Sequence, residues 1–114
     1  MKLTYLNRFF LFRSILLKQG QHYTEVETNV LIGIYLMNSD LVRCSCNTLT
    51  VYLSKMHRTP YKKTLLATLQ KFKQDGVIRQ TGKGRETNMH LTIEGKMYLF
   101  RLEGKISMVR FSND

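Results

Sequence analysis

Lys55 to Arg85 reads KMHRTPYKKTLLATLQKFKQDGVIRQTGKGR, and the fold turns on this stretch. It holds nine Lys or Arg against one Asp, and so carries eight of the chain's ten net positive charges. A helix over 60–75 is predicted from its punctuation. Thr59 can cap the first turn through its hydroxyl. Pro60, the only proline, suits the first helical position, where no N–H is needed. Gly76 can take the left-handed conformation that ends a helix. Leu65, Leu69 and Phe72 fall at helical spacing and make one apolar stripe for the core. Tyr61, Lys62, Lys63, Ala67, Gln70 and Lys71 occupy the other faces. After Gly76 the pattern changes to two strand-like runs, Val77 to Thr81 and Thr87 to Leu91. They flank a tip, Gly82 to Glu86, that is too long for a two-residue turn. A basic helix of this size fits a major groove, and a basic tip reaches adjacent phosphates or the minor groove.

Upstream, Asn47 or Thr48 can cap a helix whose Leu49, Tyr52, Leu53 and Met56 face inward. His57 and Arg58 make a tight connection from it to the basic helix, a helix-turn-helix arrangement. Leu41 to Ser45 reads as a short strand, and Asn38-Ser39-Asp40 as a break. Residues 24–38 form another helix, opened by Thr24 and Glu27 at capping-box spacing. Val26, Val30, Leu31, Ile34, Tyr35 and Met37 give it an apolar stripe. Residues 3–18 form a first helix that is apolar on more than one face and ends at Gly20. Its second apolar face serves either the domain's own core or a partner subunit. Downstream, Thr92 caps a last helix with Glu94 in its first turn. Ile93, Met97, Tyr98, Phe100 and Leu102 form its apolar side, and Gly104 stops it. Residues 104–114 are a tail, with Ile106 to Phe111 a short strand or loose chain. The whole, 1–114, reads as one domain. It is mostly α with a small β-wing, in the order α-α-β-α-α-β-β-α, a winged helix-turn-helix.

Composition narrows the class of partner. A net charge of +10 and a pI near 9.9 favour a polyanion. Nucleic acid comes first and an anionic membrane surface second. Cys44 and Cys46 would point to opposite faces of a strand, so no bridge joins them. His22, His57 and His90 complete no zinc spacing with them, so no metal is expected. Two reduced thiols fit a cytoplasmic location. Asn7, Arg8, Arg13 and Ser14 interrupt the apolar N-terminal run, which therefore matches neither a membrane span nor a signal peptide. The chain contains no acid pair, Ser-His-Asp set or phosphate loop. Neither enzyme chemistry nor a cofactor is expected.

The element order and three local motifs resemble the MarR-type transcriptional regulators. Thr64-Leu65 with Phe72 and Asp75-Gly76-Val77-Ile78 is similar to that family's recognition helix running into its first wing strand. Leu91-Thr92-Ile93-Glu94-Gly95 is similar to its Leu-Thr-x-x-Gly motif from the second wing strand into the next helix. Glu27 and Leu31 fall where the family's preceding helix has acidic and leucine positions. The resemblance covers roughly residues 3–103. Where family wings often read Asp-x-Arg, this chain reads Lys83-Gly84-Arg85, so only the arginine matches. The resemblance makes Arg85 the residue that enters the minor groove. The family's two long C-terminal dimer helices do not fit the residues after Thr92. A homodimer would be held by the N-terminal helix and the 92–103 helix.

Sequence-specific binding of double-stranded DNA, as a transcriptional regulator, is the expectation. The candidate contacts are Tyr61, Lys62, Lys63 and Thr64 in the first turn, Ala67 for close approach, and Arg58 and Thr59 on phosphate. Lys83 and Arg85 join them from the wing tip. Lys71, Lys73 and Arg79 add field. The alternative is a winged-helix protein–protein adaptor, or a DNA-binding accessory protein of a replication or mobile-element system. No membrane partner is expected. A small-molecule effector could sit between the N-terminal helices and the DNA-binding unit, with no residue identifying it.

Overall fold

Thr24 opens the central helix, α1 (Glu25–Ser39), and does so with the expected reciprocal pair. Its hydroxyl accepts from the Glu27 N–H at 3.2 Å, and the Glu27 carboxylate accepts from the Thr24 N–H at 2.8 Å. Two of the helix's orphan donors are thereby satisfied. The computed structural model describes residues 9–10 and 23–97. Further elements follow in the order α2 (Cys46–Lys55), α3 (Lys62–Gln74), β1 (Ile78–Thr81), a 3₁₀ turn (Gly84–Glu86) and β2 (Asn88–Leu91). A helical turn begins at 93–97. The described chain is mostly helical, with one small antiparallel sheet of two strands in which Ile78 faces Leu91 and Thr81 faces Asn88.

α1 is buried on nearly every side from Thr28 to Met37, because α2, α3 and β2 all pack on it. Leu49 and Leu53 come from α2, and Leu65, Leu69 and Phe72 from α3. Ile78, Met89 and Leu91 complete the core from the hairpin. Phe9, helical and fully buried, joins the same cluster, with Phe10 edge-on to it at 5.4 Å between ring centres. Tyr23 closes the α3 side, its ring edge-on to Phe72 at 5.1 Å. Beyond Phe9 and Phe10, the helix expected over 3–18, its stop at Gly20, the apolar residues Tyr98, Phe100 and Leu102, and the 104–114 tail lie outside the described residues.

Each of the three helices ends in the same way. The residue after the C-cap turns left-handed, at Leu41 (φ 58°), His57 (φ 55°) and Gly76 (φ 72°). In each case two backbone bonds fold back, and the longer runs from Val42 to Met37, from Arg58 to Leu53 and from Val77 to Phe72. This is the Schellman arrangement, which satisfies terminal carbonyls and reverses the chain. At Gly76 it costs nothing sterically. Leu41 and His57 carry a Cβ into that region, at about 1 kcal/mol each.

Four expectations are corrected. Leu41 to Ser45 is not a strand. Leu41 closes the α1 cap and turns the chain, so only Cys44 reaches β2, where its carbonyl accepts from the Met89 N–H at 2.8 Å. The Cys44 N–H goes to the Asn88 side chain at 2.9 Å. The rest of that edge is taken by a side chain. Asn38, still helical, donates to the Met89 carbonyl and accepts from the Leu91 N–H, both at 3.0 Å. Second, α2 is capped by Ser45 rather than Asn47 or Thr48. Ser45 and Thr48 exchange backbone-to-hydroxyl bonds of 2.7 and 3.2 Å, with Thr48 in the role Glu27 plays in α1. Third, α3 begins at Lys62, with Tyr61 at the N-cap position and no side-chain cap. A residue before proline is kept extended, so Thr59 lies outside the helix. The first turn closes on the Tyr61 carbonyl, which accepts from the Leu65 N–H at 2.9 Å. Fourth, Ile93 (74% exposed) and Met97 (58%) do not face inward. Gly95, on the opposite side of that turn, is the residue that meets the fold. A Cβ there would run into the Val77 carbonyl oxygen.

Thr92 behaves as expected. Its hydroxyl accepts from the Gly95 N–H at 3.2 Å and donates to the Gly76 carbonyl at 2.5 Å, tying the hairpin's exit to the end of α3. Among the described residues, no helix is long and apolar enough to cross a membrane.

Candidate nucleic-acid interface

α3 is amphipathic, and its polar side is the part of the basic stretch left bare. Leu65, Thr68, Leu69 and Phe72 are buried. Lys63, Ala67, Gln70 and Gln74 recur three and four residues apart on the opposite face, and all are exposed. Lys62, Thr64 and Leu66 flank them, also exposed. Tyr61, 87% exposed, stands just ahead of the helix. Gln70 and Gln74 extend this exposed polar face toward the end of α3. Amide side chains of this kind can pair with an adenine edge.

The cations sort into two sets. Lys71 is held by the fold, its ammonium 2.9 Å from the Glu27 carboxylate and 5.4 Å from the centre of the Tyr23 ring. Lys73 donates to the Gln80 side chain at 2.7 Å. Arg58, half-buried, lies over the Phe10 ring at 5.2 Å and bonds the adjacent His57 carbonyl at 3.0 Å. Its expected phosphate contact competes with that stacking. By contrast, Lys62, Lys63, Lys83 and Arg85 pair with no carboxylate among the described residues. The one acid of the stretch, Asp75, is at the far end of α3 and takes a hydrogen bond from the Tyr23 hydroxyl at 3.3 Å. The basic first turn is thus separated from its nearest neutralising groups.

Glu27 sits in two of these contacts. Burial pushes its carboxyl upward, but the Thr24 N–H and the Lys71 ammonium outweigh that, and the net direction is downward. The Cys44 thiol is pushed up to about 12, by burial and by the neighbouring Cys46, and stays protonated. Both cysteines are free, and no cluster of three metal-binding side chains occurs among the described residues.

The hairpin tip does not stand alone. Gly84, Arg85 and Thr87 share a cleft of about 380 Å³ with Arg43, Ser45, Cys46 and Asn47 at the start of α2. A second cleft of about 430 Å³ runs from Cys46 and Asn47 to Pro60 and Lys62. The two meet at Cys46 and Asn47. Arg43 and Arg85 border the first cleft and Lys62 the second, both at the N-terminal end of α2. Sequence reasoning passed over Arg43 and Asn47. Their signal was their place beside the Ser45 cap, hidden by the misread helix start. Thr59 is exposed next to Pro60 of the second cleft, and Lys83 precedes the 3₁₀ turn at the tip. The chain matches no family model, no curated protein and no solved structure with which it was compared.

Proposed function

We propose that this chain is a winged helix-turn-helix protein that binds double-stranded DNA with sequence preference and acts as a cytoplasmic transcriptional regulator. In this reading α2 and α3 are the helix-turn-helix, α3 is the recognition helix, and the β1–β2 hairpin is the wing. The observation that carries it is the division of the cations. Lys71, Lys73 and Arg58 are engaged within the fold, while Lys62, Lys63, Lys83 and Arg85 are exposed and pair with no carboxylate among the described residues. Unpaired surface cations grouped around a bare helix face are what phosphate capture needs. Lys62 and Arg85, with Arg43, would hold the backbone along the two clefts at the start of α2. Tyr61, Lys63, Thr64, Ala67 and Gln70 would meet base edges, since the N-terminal half of a recognition helix enters the groove. A homodimer would read two half-sites about one helical turn apart.

Fluorescence anisotropy of labelled duplex DNA tests the reading. Four to five neutralised phosphates imply a loss of about 10²- to 10³-fold in affinity between 50 and 200 mM salt. Arg85→Ala should weaken binding to all sequences alike, and Lys63→Ala or Gln70→Ala should narrow the gap between sequences. Absent binding, or binding that ignores salt, refutes the reading. It would leave the protein–protein adaptor in its place.

A further inference from the structure

A further cleft shares Asn47 and Val51 with the second of the two clefts at the start of α2 and opens toward the end of α1. It lies between the end of α1 and the outer face of α2 and measures about 570 Å³. That is within the range of small-molecule sites. Met37, Met56, Val42, Val51 and Tyr52 line it together with Asn47, Thr48 and Lys55. Paired methionines suit an adaptable apolar wall, because the thioether chain is unbranched and polarizable. Val42 and Val51 are about half exposed and form the mouth.

Two buried polar atoms interrupt this wall, the Tyr52 hydroxyl and an Asp40 oxygen. Asp40 lines the cleft, and its Oδ2 is buried with no hydrogen-bond partner among the described residues. Asp40 is not a mobile surface carboxylate. It is the C-cap of α1, with its N–H bonded to the Leu36 carbonyl at 3.1 Å. A buried acceptor without a donor is costly, and here a rigid helix end holds it against an apolar cavity.

We propose that this cleft binds a compact, neutral ligand with an apolar body and one N–H or O–H donor, the donor going to Asp40 Oδ2. Charge selects the neutral class. Asp40 and Lys55 line the same cleft with opposite charges that offset each other, which favours a neutral ligand. The proposal is independent of DNA binding, and neither stands or falls with the other.

The matched pair indole and 1-methylindole differ in the one feature at issue, since methylation removes the donor and keeps the body. Titration of the ¹⁵N-labelled full chain with each should give saturable amide shifts within residues 37–56 for indole. Binding of 1-methylindole should be at least about ten-fold weaker. Asp40→Ala should equalise the two, and Val51→Trp, at an exposed position on the mouth, should block both. Equal binding of the two probes to the parent protein would overturn the proposal, as would the absence of saturable shifts. So would an indole preference that survives Asp40→Ala.

Discussion

Replacing Asn38 with leucine keeps the helix and much of the side-chain volume while removing two hydrogen bonds at once. The Asn38 amide donates to the Met89 carbonyl and accepts from the Leu91 N–H, both at 3.0 Å in part-buried surroundings. Leucine would leave both backbone groups facing an apolar chain. Each stranded group costs about 1–3 kcal/mol. Their partial burial favours the lower half of that range, and the pair together gives about 2–4 kcal/mol. Against a total stability of about 5–15 kcal/mol, such a loss is readily measured. Asn38→Ala admits water to the same groups and should cost less, about 1–2 kcal/mol. Urea denaturation of the three proteins gives the differences, with equal slopes confirming that the unfolded states compare. Hydrogen exchange at Leu91 supplies the local reading, referenced to amides within α3. If the leucine variant lies within about 0.5 kcal/mol of the parent and the Leu91 amide keeps its protection, the side chain is not closing the sheet edge and the argument fails.

Other outcomes follow from the same geometry. Leu41→Gly and His57→Gly should each stabilise the protein by up to about 0.5 kcal/mol in urea, because glycine removes about 1 kcal/mol of left-handed strain and returns about 0.5–1 kcal/mol as unfolded-chain entropy. The lowered Glu27 pKa contributes stability that is present above its ordinary value of 4.5 and is lost as pH falls through the folded-state value. Denaturation from pH 7 to 3 should therefore show the gap between the parent and Glu27→Gln closing below about pH 4.5. A thiol reagent should label Cys46 in the folded protein and reach Cys44 only on unfolding, since burial keeps Cys44 protonated with a pKa of about 12. Quantified mass spectrometry would report the order.

Features encoded within a few residues were legible in the sequence. The Thr24–Glu27 box, the Leu65, Leu69, Phe72 stripe, the Gly76 stop and the Thr92 cap all depend on spacings of three or four. Where two local signals competed, the reading slipped. Thr59-Pro60 satisfies a helix-start rule, yet proline also holds its predecessor extended, and the helix begins later, at Lys62. Ser45 was passed over because the residues before it looked like a strand. Leu41 could not be foreseen as left-handed, since nothing in leucine favours it, and that turn is what removes the strand. Asn38 looked like a break but is a helical residue serving as an edge partner to a strand far along the chain. The division of the cations was the least legible of all. Lys62 and Lys71 look alike in sequence. Only the folded chain brings Glu27 and Tyr23 to the second and leaves the first bare.

The asymmetry of the hairpin has a consequence for association. A two-stranded ribbon ordinarily offers two edges, and a fibre grows because every added unit presents a fresh edge to the next. Here the β2 edge is occupied from within, by the Cys44 carbonyl and the Asn38 amide. Among the described residues only β1 remains open, four residues long and bearing Arg79. Short, charged edges discourage pairing. Should two copies meet there, both would have used their one open edge. Strand addition through this hairpin therefore terminates at a pair and cannot propagate.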